Sequence, residues 1–138
     1  MLNLAAVRTT LGNWLDDHKE TVEKVYRRAI GGAFTWPAVV LGQPTLEEAD
    51  VQPCGVHRWT FPVHVVVGRP GQDEEATQQL LEGCWTEVYG QLDQMLAEDP
   101  YLGAADVQEA HLERADFGSL LVAGQAYPAY EITLSVLG

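Results

Sequence analysis

Residues 73–96 constrain the fold most, because they form a long helical pattern with a single apolar face. Acidic residues fill its first turn, at 73–75, where the helix dipole favours negative charge. Turning successive residues by about 100° places one apolar set within an arc of about 120°. The set consists of Leu81, Cys84, Trp85, Val88, Leu92, Met95 and Leu96. Such a helix must pack on one other layer, which the rest of the chain has to supply.

Alternating apolar residues elsewhere predict a sheet as that layer. Residues 56–67 are rich in β-branched and aromatic side chains and predict a long strand that ends at a Gly68–Gly71 turn. A shorter apolar strand is expected from Pro37 to Leu41, since proline is tolerated at the first residue of a strand. Further strands are expected at 107–113, 120–122 and 127–137.

The beginning of the chain predicts a second amphipathic helix. Asn3 is a suitable N-cap, and the acids at 16–17 indicate that the helix ends there or soon after. Its apolar face consists of Leu4, Val7, Leu11, Trp14 and Leu15. The following residues, 19–30, fit a helix or a short strand equally well, and both alternatives end at Gly31.

The order of these elements predicts an α+β fold: a mostly antiparallel sheet of four to five strands flanked by two main helices. A length of 138 residues without internal repeats indicates one domain, residues 1–138. Hydrophobic residues make up 46% of the chain and charged residues 20%, a composition that excludes a disordered chain.

Charge and cysteine content narrow the function classes. Twenty acidic residues against eight Lys and Arg give a net charge of −12, which argues against binding nucleic acid through phosphates. Apolar runs are too short for a membrane span, and the first residues lack the pattern of a signal peptide. Two cysteines, Cys54 and Cys84, are too few for a disulfide framework, so we expect reduced thiols in a cytoplasmic protein.

Motifs of catalysis or metal binding are not evident in the sequence. Cys54, His57 and His64 come nearest to a metal cluster, but structural zinc takes four ligands. Cys84 lies on the apolar helix face and is expected in the core rather than as a nucleophile. Phosphate-binding loops, dinucleotide fingerprints and nucleophile elbows do not occur. We therefore expect no catalytic, cofactor-binding or metal site, and no enzyme.

The distribution of charge is more informative than any motif. Residues 70–113 contain eleven acids and no Lys or Arg, while the basic residues cluster earlier. The acids form either a solvated surface or a patch that meets the basic patch of a neighbouring copy, a head-to-tail contact that closes into rings or continues into filaments. The candidate patch residues are Arg27, Arg28, Arg58, Arg69, Glu75, Glu82 and Asp93.

Four segments form a recognisable series along the chain. The first helix has the form L-x-x-V-R-x-x-L-x-x-x-L from Leu4 to Leu15, followed by Val25-Tyr26. P-A-V-V-L-G-Q-P occupies 37–44, and the strand R-W-T-F-P-V-x-V-V-V-G-R at 58–69 leads into a helix with D-x-x-A-x-x-x-L. Together these segments resemble the tail terminator (tail-completion) proteins of long-tailed siphophages. The resemblance covers nearly the whole chain and lies mainly in the order of elements.

The resemblance implies a structural virion protein of the tail or neck, assembled in the host cytoplasm. It implies a ring, expected to be hexameric, that caps the tail tube protein, halts its polymerisation and offers a surface to the head–tail connector or stopper. DNA would be only cargo in the channel, repelled by any acids lining the wall, and no membrane is involved. The polar loop 45–55, with Glu47, Glu48 and Asp50, is the expected partner-contact loop.

Alternative functions remain open at this point. Another head–tail connector or neck protein would share the size and the assembly. A small-molecule-binding α+β module with a pocket under the helices belongs to a different class. A third alternative is an acidic mimic of DNA, which the charge alone favours.

Overall fold

The computed structural model describes residues 2–28, 35–47, 57–68, 74–104 and 106–138. Within these ranges the chain forms two helices, α1 (Leu4–His18) and α2 (Glu74–Glu98). It also forms the strands β1 (Lys24–Tyr26), β2 (Ala38–Leu41), β3 (Thr45–Glu47), β4 (Arg58–Val66), β5 (Glu109–Val122) and β6 (Gln125–Leu137).

These strands form one six-stranded sheet in the order β1-β2-β4-β6-β5, with β3 paired to β4 next to β2. Strand β1 runs parallel to β2, and the other pairs are antiparallel. The predicted α+β class with a mostly antiparallel sheet is therefore confirmed. The sheet has six strands rather than the expected four to five, because β3 was not predicted and the ambiguous segment supplies β1, while two of the predicted strands prove to be one.

Both helices pack on the same face of the sheet. Alternate residues of a strand point to one face, and the core contains the alternating sets of β4 and β6 together with the apolar faces of α1 and α2. The predicted arc of α2 is confirmed: Trp85 and Leu96 are partly buried against the core, and the other members are fully buried. Neither described helix has the apolar length needed to cross a bilayer.

Helix α1 begins and ends where the sequence predicts. The side chain of Asn3 accepts a hydrogen bond from the backbone N–H of Ala6, which satisfies one of the free donors at the helix start. The indole N–H of Trp14 donates to the carbonyl of Gln91 at 2.8 Å, and the Gln91 amide donates back to the carbonyl of His18 at 2.6 Å. These two bonds fasten the end of α1 to α2.

The ambiguous segment 19–30 contains a strand in its described part. Backbone N–H groups of Glu20, Thr21 and Val22 all donate to the carboxylate of Glu87 on α2, at 3.1, 2.8 and 3.4 Å. This carboxylate holds the chain in place just before it enters β1. Strand β1 then pairs in parallel with β2, Lys24 opposite Ala38, a partner that no local pattern could show.

The bend between β2 and β3 requires a glycine. Gly42 continues the ladder through a hydrogen bond from its N–H to the carbonyl of Pro62. A Cβ at this position would lie 2.6 Å from Cγ of Pro62, closer than real Cβ contacts. The chain then pairs again with β4 through β3, so the predicted polar loop at 45–55 was wrong at its start. Residues 48–55 of that loop lie outside the described part.

The last two strands differ most from the expectation. The predicted strands at 107–113 and 120–122 are parts of the single strand β5, which pairs with β6 along its whole length. One extra residue, Glu113, interrupts the ladder between Leu112 and Arg114 as a β-bulge. The bulge shifts the alternation of side chains, which is why the pattern looked like two separate strands.

Candidate functional site

The hairpin of β5 and β6 extends past the rest of the sheet. Strand β4 follows β6 only as far as Ala129, whereas β5 and β6 continue pairing from Ser119–Pro128 to Val122–Gln125. Four further pairs correspond to about 13 Å at the usual rise per residue. We call residues 117–130, the end of this hairpin, the arm.

A tight turn closes the arm. Ala123 and Gly124 both have positive φ, 49° and 82°, as in the two-residue type I′ turns that match the twist of paired strands. Such a turn closes on a hydrogen-bonded pair, so Val122–Gln125 and every second pair after it exchange hydrogen bonds. The backbone groups of Phe117, Ser119 and Leu121 therefore face away from β6, toward the outer edge of the sheet.

The two edges of the arm are not equivalent. By the same alternation, the backbone of Pro128 faces the side of β6 where β4 has ended, and proline has no N–H to offer an incoming strand. The β5 side carries no proline, and no described strand lies beyond it. Only the β5 side of the arm therefore presents a complete backbone edge.

The arm exposes two large apolar side chains, beside the small or uncharged polar Ser119 and Gln125. Phe117 is 55% exposed and Leu121 69%, while Val122 on the opposite face is buried. The ring of Phe117 meets Tyr130 edge-on at 5.3 Å between centroids, and Tyr130 in turn lies 5.5 Å from Trp85 of α2. No charged residue occurs between positions 117 and 130, in a chain where one residue in five is charged. A charge-free apolar surface of this kind is typical of protein interfaces.

The first half of β5 has the opposite character. Charged side chains dominate it, with Arg114 paired to Asp116 at 3.0 Å and His111 3.3 Å from Glu109. The bulge at Glu113 lies in the same half. Charges and bulges are the usual protection of an edge strand against pairing. The outer edge of β5 is thus protected against pairing with a further strand along its first half, and it lacks this protection along the arm.

The helix-free face of the sheet is polar around Arg58, Glu131 and Ser135, whereas Ala38 and Val66 on the same face are buried. Arg58 donates to the hydroxyl of Ser135 at 2.9 Å, and His64 lies opposite Glu131. Burial lowers the pKa of His64, and the negative charge of Glu131 opposes this only in part. An open depression of about 170 Å³ lies on this face, lined by Thr45, Glu47, Thr60, Pro62, Glu113, Arg114, Glu131 and Thr133. Its small volume and polar walls do not suit an apolar small molecule.

The predicted partner loop is placed only in part. Glu47 belongs to β3, where it lies opposite Arg58 on the helix-free face, rather than to a loop. Glu48 and Asp50 fall outside the described residues. The expected contact surface at 45–55 therefore stays a prediction, except that its first residues are strand.

The predicted charge patches are distributed over three places. Arg27 and Arg28 follow β1 at one edge of the sheet, with Arg27 3.9 Å from Asp16. Arg58 lies in the middle of the sheet on β4 and does not join them, and Arg69 is outside the described part. The acids share one exposed face of α2 at helical spacing, as predicted: Glu75, Glu82 and Asp93.

The thiol chemistry fits the prediction of a core cysteine. Cys84 is buried, and burial, aided by the nearby charge of Glu87, raises the pKa of its thiol to about 11. Within the described ranges, no three His, Cys, Asp or Glu residues are grouped to bind a metal. Cys54 lies outside these ranges.

A thiol titration tests this placement. In a Cys54→Ser variant, we expect Cys84 to stay unreactive toward a disulfide reagent near neutral pH, because almost no thiolate is present. Adding urea should release its reaction. Rapid reaction of the native variant would contradict the burial of Cys84. Native wild type, which keeps both thiols, is measured alongside so that the reaction of Cys54 can be subtracted.

Sequence reasoning missed the arm, whose signals are weak. Residues 117–130 are free of charge and Gly124 interrupts an apolar stretch, but Ala-Gly is not among the dipeptides typical of a two-residue hairpin turn. Comparison with known proteins adds no further assignment. The chain matches no protein-family model, and no curated protein matches it significantly.

Proposed function

We propose that this chain is a tail terminator of a long-tailed phage, a structural subunit that forms a ring on the end of the tail tube. The observation that carries the proposal is the arm: an extended, charge-free, apolar hairpin on a chain of net charge −12. A ring subunit needs a rigid sheet and an exposed element that reaches a neighbour, and this fold supplies both. The resemblance of the sequence to that family supports the same conclusion.

The distribution of charge suits such a subunit. Ring contacts of the head-to-tail kind use two different surfaces of each copy. Here the basic residues around β1 and the acids of β5 lie at opposite ends of the described sheet, so opposite charges can meet between copies. Capping a tube requires no catalytic or metal chemistry of the subunit.

Deleting the coding sequence from the genome that carries it tests the function. We expect released particles with tails of uncontrolled length, because no ring would stop the tube protein from polymerising. Supplying the gene from a plasmid should restore uniform tails, which is the control. The measurement is the tail-length distribution by negative-stain electron microscopy.

The same images separate the neighbouring possibilities. Tails of normal length that lie unattached to heads would favour the other head–tail connector over the terminator. Normal virions, or a genome without tail genes, would contradict both.

A further inference from the structure

We propose that the outer edge of β5 within the arm pairs with β1 of a second copy of this chain, so that the sheet continues from one subunit to the next. The inference rests on the proposed function in one respect: a closed ring requires two different surfaces on each subunit. Strands β5 and β1 are the two ends of the described sheet, which makes them such surfaces.

The arm provides the donor surface of this contact. Phe117, Ser119 and Leu121 direct their backbone groups outward, and Phe117 and Leu121 also carry the exposed apolar side chains. An unprotected edge of this kind is a template for another strand. This edge of the arm has no charged residue, no proline and no bulge, whereas the first half of the same strand has both charged residues and a bulge.

Charge at the start of the arm favours β1 as the partner of that edge. Strand β5 enters the arm from a segment with three acids and one arginine, whereas residues 23–28 around β1 carry three basic residues and one acid. An antiparallel register with Ser119 opposite Val25 would place Asp116 opposite Arg28 and so join opposite charges. Pairing two arms would bring together no such opposite charges, so we assign the β1 edge of the second copy as the occupant.

Strand direction is compatible with this pairing. Strand β1 runs with β2 and β6, and β5 runs against β6. When the sheet continues in the same sense into the next copy, β5 and β1 meet antiparallel. Antiparallel strands pair with straight hydrogen bonds and are the more frequent arrangement.

Sedimentation equilibrium of the purified chain tests the contact. We expect wild type to self-associate between roughly 1 and 200 µM, and Leu121→Lys to raise the dissociation constant at least tenfold. Leu80→Lys is the matched control, because Leu80 is an exposed leucine on α2 outside the arm. Circular dichroism melts establish that each variant is folded.

A charge swap tests the choice of partner edge. Arg28→Glu and Asp116→Lys should each weaken association, and the double variant should recover it, because opposite charges would again face each other. A two-fold contact between arms would instead leave Arg28→Glu unchanged. That result overturns the proposal, as does a wild type that stays monomeric or a Leu121→Lys variant that associates like wild type.

The outcomes separate this inference from the proposed function. A deletion that lengthens tails, combined with association insensitive to Leu121→Lys, removes the interface and keeps the terminator. Association that depends on the arm, combined with normal virions after deletion, keeps the interface and removes the terminator.

Discussion

Replacing Leu92 with alanine should lower the free energy of unfolding by about 2–5 kcal/mol. Leu92 is 0% exposed and lies on the apolar face of α2, where it packs into the core shared with the sheet. Truncation would remove the contacts of its side chain and leave a cavity that the surrounding core fills only in part. The measurement is urea denaturation followed by circular dichroism.

Gln94→Ala, at an exposed position two residues further along the same helix, is the control and should change stability by less than about 0.5 kcal/mol. The dependence of the free energy on urea should be the same in both variants, since a truncated core residue does not change the surface exposed on unfolding appreciably. Equal midpoints for Leu92→Ala and Gln94→Ala would show that α2 does not cover the sheet as described.

Replacing Glu87 with alanine should destabilise the chain by about 1–3 kcal/mol near neutral pH. Its carboxylate accepts three backbone N–H groups from the segment before β1, and alanine would leave these donors to water. Glu87→Gln should have a smaller effect, because its amide oxygen can still accept one of them. Glu82→Gln, an exposed glutamate on the same helix, is the control.

The loss of stability caused by replacing Glu87 should depend on pH, and the direction of that dependence can be derived. Burial alone would raise the pKa of this carboxyl, but the N–H groups of Thr21 and Glu20 more than offset it, so its pKa lies below the ordinary value of 4.5. A carboxyl with a lowered pKa stabilises the folded chain above its unfolded pKa and loses this effect as pH falls through the folded value. The difference between wild type and Glu87→Gln should therefore be full near neutral pH and shrink below about pH 4.5. A stability difference that grows on acidification would contradict the role of the ionised Glu87 carboxylate as acceptor of these N–H groups.

Elements with a long one-faced pattern were predictable from the sequence, and elements defined by their partners were not. Helix α2 and strand β4 each repeat one periodicity for several turns or pairs, so local sequence alone identifies them. Strand β3 has three residues, and only its pairing with β4 makes it a strand. Strand β1 likewise depends on β2 and on the carboxylate of Glu87.

The candidate site was predictable only in its charge. Net charge and the acidic face of α2 follow from composition and helical spacing, whereas the separation of Arg58 from Arg28 depends on the order of strands in the sheet. The arm was missed because Glu113 interrupts the alternation of β5, and glycines at 118 and 124 weaken the pattern beyond it. Its exposure became visible only when the end of β4 was known.

Glu113 also affects the direction of β5 without determining which side chains of β5 face the core. Leu112 and Ala115 both face the core although Ala115 comes three positions after Leu112, because Glu113, one of the two residues between them, has no partner on β6. Removing that one residue would leave both on the core side and restore an uninterrupted ladder, while taking away the extra local twist that bulges introduce. The deletion of a single residue would thus change the direction in which the hairpin projects and leave its core-facing side chains the same.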